Sequence, residues 1–215
     1  SPHLVRYNER VRIDGEPVGD AALCEAFARI DEARGETSLS YFEFGTLAAL
    51  EIFRQRDVEV ALLEVGLGGR LDAVNILDAD LALITSIGID HVEWLGGDRE
   101  SIGREKAGIM RGGQPAVCGD RRPPASLLAH AASVGADLYR LGEEFDCERS
   151  ADDWDWSYDD LVHEELPPPA LAGAVQYDNA ASVLMAVELL RDRLPVGRRD
   201  IEAGLVSARL AGRMQ

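Results

Sequence analysis

Lysine is almost absent from this chain of 215 residues: Lys106 is the only one, which leaves 21 arginines among the 22 basic residues. Wherever a positive charge alone is needed, the chain uses Arg. The single Lys is therefore a candidate for chemistry a guanidinium cannot perform, since an amine can lose its proton and act as a nucleophile. Cysteine is scarce as well: Cys24, Cys118 and Cys147 are odd in number, far apart and without metal-ligand spacing. Reduced thiols in a cytoplasmic protein account for them. No stretch approaches the roughly 18 apolar residues of a membrane span, and Ser1-Pro2-His3-Leu4 has neither the basic region nor the apolar core of a signal peptide. A formal net charge of −17 disfavours a nucleic-acid surface, which relies on clustered Lys and Arg, and reads as acidic solubility. Internal repeats and low-complexity tracts are missing too.

What is present is a core-forming composition, 46% hydrophobic, at a length that suits one large domain or two small ones. The chain is organised around Leu62-Leu63-Glu64-Val65-Gly66-Leu67-Gly68-Gly69-Arg70-Leu71-Asp72. The run Val58 to Val65, interrupted before Glu64 only by Glu59, predicts a strand buried on both faces. Glu64 then falls at the strand's carboxyl end, where open α/β sheets place their ligands. A carboxylate buried there needs a positive partner such as a metal ion. Gly66, Gly68 and Gly69 allow a sharp turn and close approach of the backbone to a ligand. From this stretch alone, a strand-ending turn with a solvated Glu is an equal reading. The dinucleotide fingerprint does not fit, because Leu71 stands where its third glycine belongs.

The rest of the chain alternates helix and strand. Arg6 to Val18 reads as a polar strand or loop turning at Gly15. Asp20 is the expected N-cap of a helix over Ala21 to Arg34, and a second helix is expected from about Phe44 to Arg56. Asp80 to Ile87 is a second buried strand, ending at Gly88-Ile89-Asp90-His91, so that His91 follows a strand end as Glu64 does. If the strands are parallel neighbours, Asp90 or His91 can approach Glu64; alone, His91 reads as a surface loop residue. A helix from about Arg99 to Met110 carries Lys106. Pro115 to Cys118 (strand), Pro124 to Gly135 (helix) and Asp137 to Leu141 (strand) follow. In Phe145 to Val162, Trp154, Trp156 and Tyr158 alternate with polar residues, the pattern of an exposed antiparallel strand or hairpin. Tyr177-Asp178-Asn179 is expected to cap a helix to about Arg191, and a last helix covers Arg199 to about Leu210. The fold class is α/β: a mostly parallel, doubly wound sheet with flanking helices and a small antiparallel addition.

The segment Leu62 to Ile76 closely resembles the signature of folylpolyglutamate synthases and bacterial dihydrofolate synthases, of the Mur ligase superfamily. The likeness continues through Thr85-Ser86-Ile87-Gly88-Ile89-Asp90-His91, Trp94-Leu95-Gly96 and Ser101 to Ile109, and includes Ser1 to Leu4 and Phe42-Glu43-Phe44. It weakens from Pro115 to Pro169 and returns at Gln176 to Ala181 and Ala211-Gly212-Arg213-Met214-Gln215. The resemblance implies an ATP-dependent ligase that phosphorylates a folate-type carboxylate, which the amine of L-glutamate then attacks. It implies Mg2+ and ATP as cofactors, with Ser1, Glu64, His91 and Lys106 on metal-ligand positions and His91 and Lys106 as the catalytic pair. Lys106 matches a lysine that is carbamylated in the family. Ser40, Phe42, Glu43, Asp72 and Ala73 match pterin-binding positions, and Asn179 and Arg213 match ATP contacts.

The resemblance further implies that residues 1–210 are a partial ATP-binding domain, because no Gly-x-x-x-x-Gly-Lys-Ser/Thr loop occurs in the chain. Residues 211–215 would begin the linker to a carboxy-terminal domain. The chain alone is expected to be inactive, its partners being small molecules, and the complete protein a monomer. A Mur-type ligase for another carboxylate and a non-catalytic folded fragment are the competing expectations.

Overall fold

The computed structural model describes residues 3–210. The chain divides into two compact units, one of residues 1–67 and 71–77, the other of residues 68–70 and 78–215.

In the first unit a 3-10 turn, Tyr7–Arg10, leads into a short hairpin, β1 (Arg12–Ile13) and β2 (Glu16–Pro17), paired antiparallel around Asp14 and Gly15. Two helices follow, α1 (Asp20–Arg34) and α2 (Tyr41–Gln55), and a second 3-10 turn, Ala73–Ile76, closes the unit. Leu23, Ala26, Ala48, Ile52 and Val11 are buried together, with Tyr7, Phe27 and Phe53 around them. This one-sided burial of two amphipathic helices follows from apolar residues recurring three and four apart. Gly19, not Asp20, is the N-cap of α1. The Asp20 carboxylate is already engaged, accepting hydrogen bonds from Asn8 Nδ2 at 2.9 Å and Arg6 Nη2 at 2.6 Å.

The second unit is built on a parallel sheet ordered β3–β4–β5, with β3 at Ala82–Ile84, β4 at Pro115–Cys118 and β5 at Asp137–Arg140. Between β3 and β4 run α3 (Val92–Leu95) and α4 (Arg99–Ala107), and α5 (Ala125–Val134) joins β4 to β5. Strand alternation sends side chains to two cores. Ala82, Ile84, Ala116 and Cys118 join Ile102, Ala107, Met110, Leu127 and Ala131 on one side. Val117 joins the other core, with Leu81 and Leu83 packed against it. That second core is covered by an antiparallel sheet, β6 (Phe145–Arg149), β7 (Trp154–Tyr158) and β8 (Leu161–Leu166), and by α6 (Val175–Leu189) and α7 (Arg198–Ser207). The fold is thus α/β, with a parallel sheet covered on both faces and an antiparallel addition, as expected. No helix among the described residues is long and apolar enough to cross a membrane.

Three further expectations need correction. Val58 to Val65 is not a strand: Leu62 is 94% exposed and Val60 56% exposed. An apolar run becomes a strand only where a neighbour accepts its backbone groups. Among the described residues no strand pairs with it. The antiparallel strand at Phe145 to Val162 is not simply exposed: Trp154 and Trp156 are fully buried. Side chains two apart share a face, and that face packs onto the second core while Asp155 and Ser157 point the other way. Finally, Tyr177-Asp178-Asn179 does not precede its helix but forms the third to fifth residues of α6, whose N-cap is Ala174.

Candidate active site

The residues predicted to face a pterin lie in the first unit. Ser40 is the N-cap of α2 and forms a reciprocal capping box with Glu43. Ser40 Oγ accepts from Glu43 N at 3.3 Å, and Ser40 N donates to Glu43 Oε2 at 2.6 Å. These bonds satisfy donors that every helix start leaves open. The bond from the Ser40 backbone is the main reason the Glu43 carboxyl sits below its ordinary range. Phe42, between them in sequence, lays its ring against the glycine turn: a Cβ on Gly66 would lie 2.9 Å from Phe42 Cζ and 3.3 Å from Asp72 Oδ2. Asp72 Oδ2 accepts from both Gly66 N and Leu67 N at 3.0 Å, and Oδ1 accepts from Val74 N at 3.0 Å, capping the 3-10 turn that begins at Ala73. Phe42, Gly66 and Asp72 are therefore brought together. The absence of a side chain at Gly66 is what admits the aromatic ring. Glu64, two residues before Gly66, is exposed in the same unit, outside any helix or strand.

In the second unit, Ile84 ends β3 and the chain runs on to His91. The bend is held by Asp120, a carboxylate only 8% exposed. Its Oδ2 accepts from Ile87 N at 2.7 Å and from Arg99 Nη2 at 2.7 Å, and its Oδ1 from Arg122 N at 2.9 Å. Burial opposes ionisation of Asp120, but the bonds from Ile87, Arg122 and Arg99 outweigh it and hold the carboxyl below its ordinary range. Arg99 also donates through Nε to Ile87 O at 3.0 Å. His91 itself is exposed and adopts the left-handed conformation (φ 52°, ψ 42°), unusual for a residue with a side chain. Asp90 supports it, Oδ1 accepting from His91 N at 2.7 Å and Oδ2 lying 3.7 Å from His91 Nε2.

Lys106 is half-buried in the last turn of α4. Both ends of that helix are fixed. At the start, Asp98 Oδ1 accepts from Ser101 N at 2.7 Å, and the Glu100 carboxylate accepts from Ala125 N and Ser126 N at the start of α5. At the end, the glycine turn docks on it: Arg70 N donates to Glu105 O at 2.8 Å, and the Arg70 guanidinium grips the Glu105 carboxylate through Nε and Nη2 at 2.9–3.2 Å.

Asn179, near the start of α6, donates through Nδ2 to Gln176 Oε1 at 3.1 Å. Its neighbour Asp178 accepts from Arg121 Nε at 3.1 Å, and Arg121 also pairs with Asp146 at 2.8 Å. The Arg149 guanidinium lies 4.1 Å from the centre of the Tyr177 ring. The start of α6 is thus tied to the antiparallel sheet. Ser1 and Arg213, the remaining predicted site residues, lie outside the described residues. Among the described residues no group of three or more His, Cys, Asp or Glu side chains converges as a ready-made metal site. A cavity of about 370 Å³, lined by residues that include Leu161, His163, Leu184, Glu188, Arg191 and Ile201, contains none of the predicted site residues. Arg70, Glu105, Asp120 and Arg121 escaped sequence reasoning. No spacing pattern marks them, because each acts through a partner 21 to 57 positions away or through a bend seen only in three dimensions.

No protein-family model matches the chain. Over its whole length it is 49% identical to the dihydrofolate synthase/folylpolyglutamate synthase of Escherichia coli K12, covering 50% of that protein. Among solved structures, E. coli FolC in complex with DHPP and ADP is similar at TM-score 0.94 and 48% identity, with 100% of this chain and 50% of that one covered. A bifunctional folylpolyglutamate synthase/dihydrofolate synthase with Mn, AMPPNP and L-glutamate bound is similar at TM-score 0.92 and 48% identity, with 100% and 51% covered. The chain spans about half the length of the curated relatives it matches.

Proposed function

Since this chain is homologous along its whole length to about half of the dihydrofolate synthase/folylpolyglutamate synthases, we propose that it carries the ATP-binding part of a ligase that joins L-glutamate to dihydropteroate or to a tetrahydrofolate polyglutamate. The likeness over every residue to enzymes whose solved forms hold ADP, DHPP, Mn and L-glutamate carries this reading. In the reaction, a carboxylate oxygen of the pteroate attacks the γ-phosphorus of ATP, forming an acyl phosphate and releasing ADP. The glutamate amine then attacks the acyl carbon; the C–N bond forms, the C–O bond to phosphate breaks, and the amine gives up a proton.

Residues 1–210 form a partial ATP-binding domain in this reading, without the phosphate-binding loop, and residues 211–215 begin a linker. Phe42, with Asp72 and Ala73, borders the pterin, while Ser40 and Glu43 hold the start of α2 that presents Phe42. Asn179 and Arg213 contact the nucleotide. Ser1, Glu64 and His91 supply hydroxyl, carboxylate and imidazole donors, a set whose chemistry fits Mg2+ or Mn2+. A divalent ion stabilises charge on the transferring phosphoryl oxygens when bound. Lys106 supplies a further oxygen donor after carbamylation: its neutral Nζ forms an N–C bond to carbon dioxide, one C–O π bond opens to an oxyanion, and the nitrogen passes a proton to water. Arg could not take this role, which explains why the chain's one lysine stands there. The protein acts on small molecules, in the cytoplasm and as a monomer.

ATP-dependent incorporation of radiolabelled L-glutamate by the full gene product tests the reading. Transfer to dihydropteroate and not to a muropeptide acceptor is expected, with at least a hundredfold loss in Glu64→Ala and His91→Ala. Transfer to the muropeptide alone, or undiminished turnover in both variants, would overturn it.

A further inference from the structure

The glycine turn does more than change the chain's direction. Helix α4 ends at Ala107, so its last-turn carbonyls lack helical partners. Two of them are accounted for: Arg70 N donates to Glu105 O at 2.8 Å, and Gly108 and Ile109 donate backbone N–H groups to Lys106 O. The approach is possible only because side chains are missing. A Cβ on Gly69 would lie 3.0 Å from Glu105 O and 3.2 Å from Lys106 O, and one on Gly108 would collide with Arg70, 2.8 Å from its Cα. The Arg70 guanidinium spans both Glu105 oxygens, a planar fork on a planar carboxylate that fixes orientation as well as distance. It also brings a positive charge to the negative end of α4. Gly68 to Arg70 and α4 belong to the same unit.

We propose that Arg70 and Glu105 are positioning residues for Lys106, clamping the backbone of the helix end from which its amine projects. The inference rests on the reading of Lys106 as a functional, carbamylated residue. The clamp explains why the glycine turn and the lysine helix occur together: two glycines let one backbone lie on the other, and one ion pair locks the register. Arg70→Lys keeps the charge but loses the fork, so it should recover only part of the effect.

Trace acylation with acetic anhydride in the full gene product, read on the peptide carrying Lys106, tests this. In bicarbonate-free buffer the Lys106 labelling rate should rise at least threefold in Arg70→Ala and in Glu105→Gln, with Arg70→Lys in between. Half-protection of Lys106 by bicarbonate should need at least fivefold more bicarbonate in Arg70→Ala, although the protein stays folded by circular dichroism. An exchanged pair, Arg70→Glu with Glu105→Arg, should recover part of the protection. Unchanged labelling and unchanged protection in both single variants would overturn the clamp; Glu105→Gln decides it if Arg70→Ala does not fold. A wild type that bicarbonate fails to protect would instead refute the carbamate, and the labelling rates would then decide the clamp alone.

Discussion

Removing the Asp120 carboxylate should destabilise the second unit and release the bend that leads to His91. In Asp120→Ala the backbone N–H groups of Ile87 and Arg122 lose their acceptor, and Arg99 loses its ion-pair partner. An unsatisfied N–H at a site this closed costs about 1 kcal/mol or more. The Arg99 side chain is 40% exposed, so its pairing is screened and adds only about 0.5–1 kcal/mol. The total is about 3 kcal/mol, which in a unit of this size lowers the melting temperature by roughly 6–12 °C. Asp120→Asn keeps one acceptor and should lose about half as much. The carboxyl is held below its ordinary range in the folded state, so its contribution is full above the unfolded value and disappears as pH falls through the folded one. The gap between wild type and Asp120→Ala should therefore be widest near neutrality and narrow at acid pH. Thermal unfolding followed by circular dichroism across that range provides the measurement. A loss of less than 2 °C at pH 7, or a gap that widens on acidification, would refute the reasoning.

Trp156 is fully buried and donates through Nε1 to Ala181 O at 3.1 Å; Trp156→Ala should cost about 3–5 kcal/mol in denaturant titration, while Trp156→Phe should cost less. Ser40→Ala removes the α2 cap and should cost about 1 kcal/mol, and any larger loss of pterin affinity measured by calorimetry would reveal a direct substrate contact. Among the cysteines only Cys24 is exposed, Cys118 is buried, and burial pushes the Cys147 thiol up to about 11. Iodoacetamide at pH 8 should therefore modify Cys24 first, as peptide mapping will read, and comparable early labelling of Cys147 would contradict its environment.

The parallel unit was legible because its strands and helices have separate periods. Pro115 to Cys118 was predicted at its observed ends, since a four-residue apolar run between glycines and prolines leaves no room for a helix turn. The same rule misread Val58 to Val65. Apolar content tells a strand from a loop only when a pairing partner exists, and partnership is a property of the fold, not of the run. It also understated β7, where the sequence shows the alternation but not what covers either face. Burial of Trp154 and Trp156 needed α6, which begins about 20 residues downstream, to be brought against them.

The proposed site residues divide along a similar line. Lys106 stands out by being alone, Glu64 by closing an apolar run and His91 by following one, because rarity and position are written in one dimension. The groups that hold them are common types in common places: Arg70 is one arginine of 21, and Asp120 one acid among 39. Their identity emerges only from what they touch. Ser40 and Glu43 pose the opposite difficulty, since a Ser-x-x-Glu spacing serves a helix cap wherever it occurs. Here the two oxygens that would greet a pterin already bond to the start of α2. A substrate must therefore either approach their free lone pairs or leave them to the helix. Ser40→Asn separates the two: asparagine caps as well as serine does and adds no charge beside Glu43, so helix stability should persist, and any drop in pterin affinity then belongs to the loss of the hydroxyl.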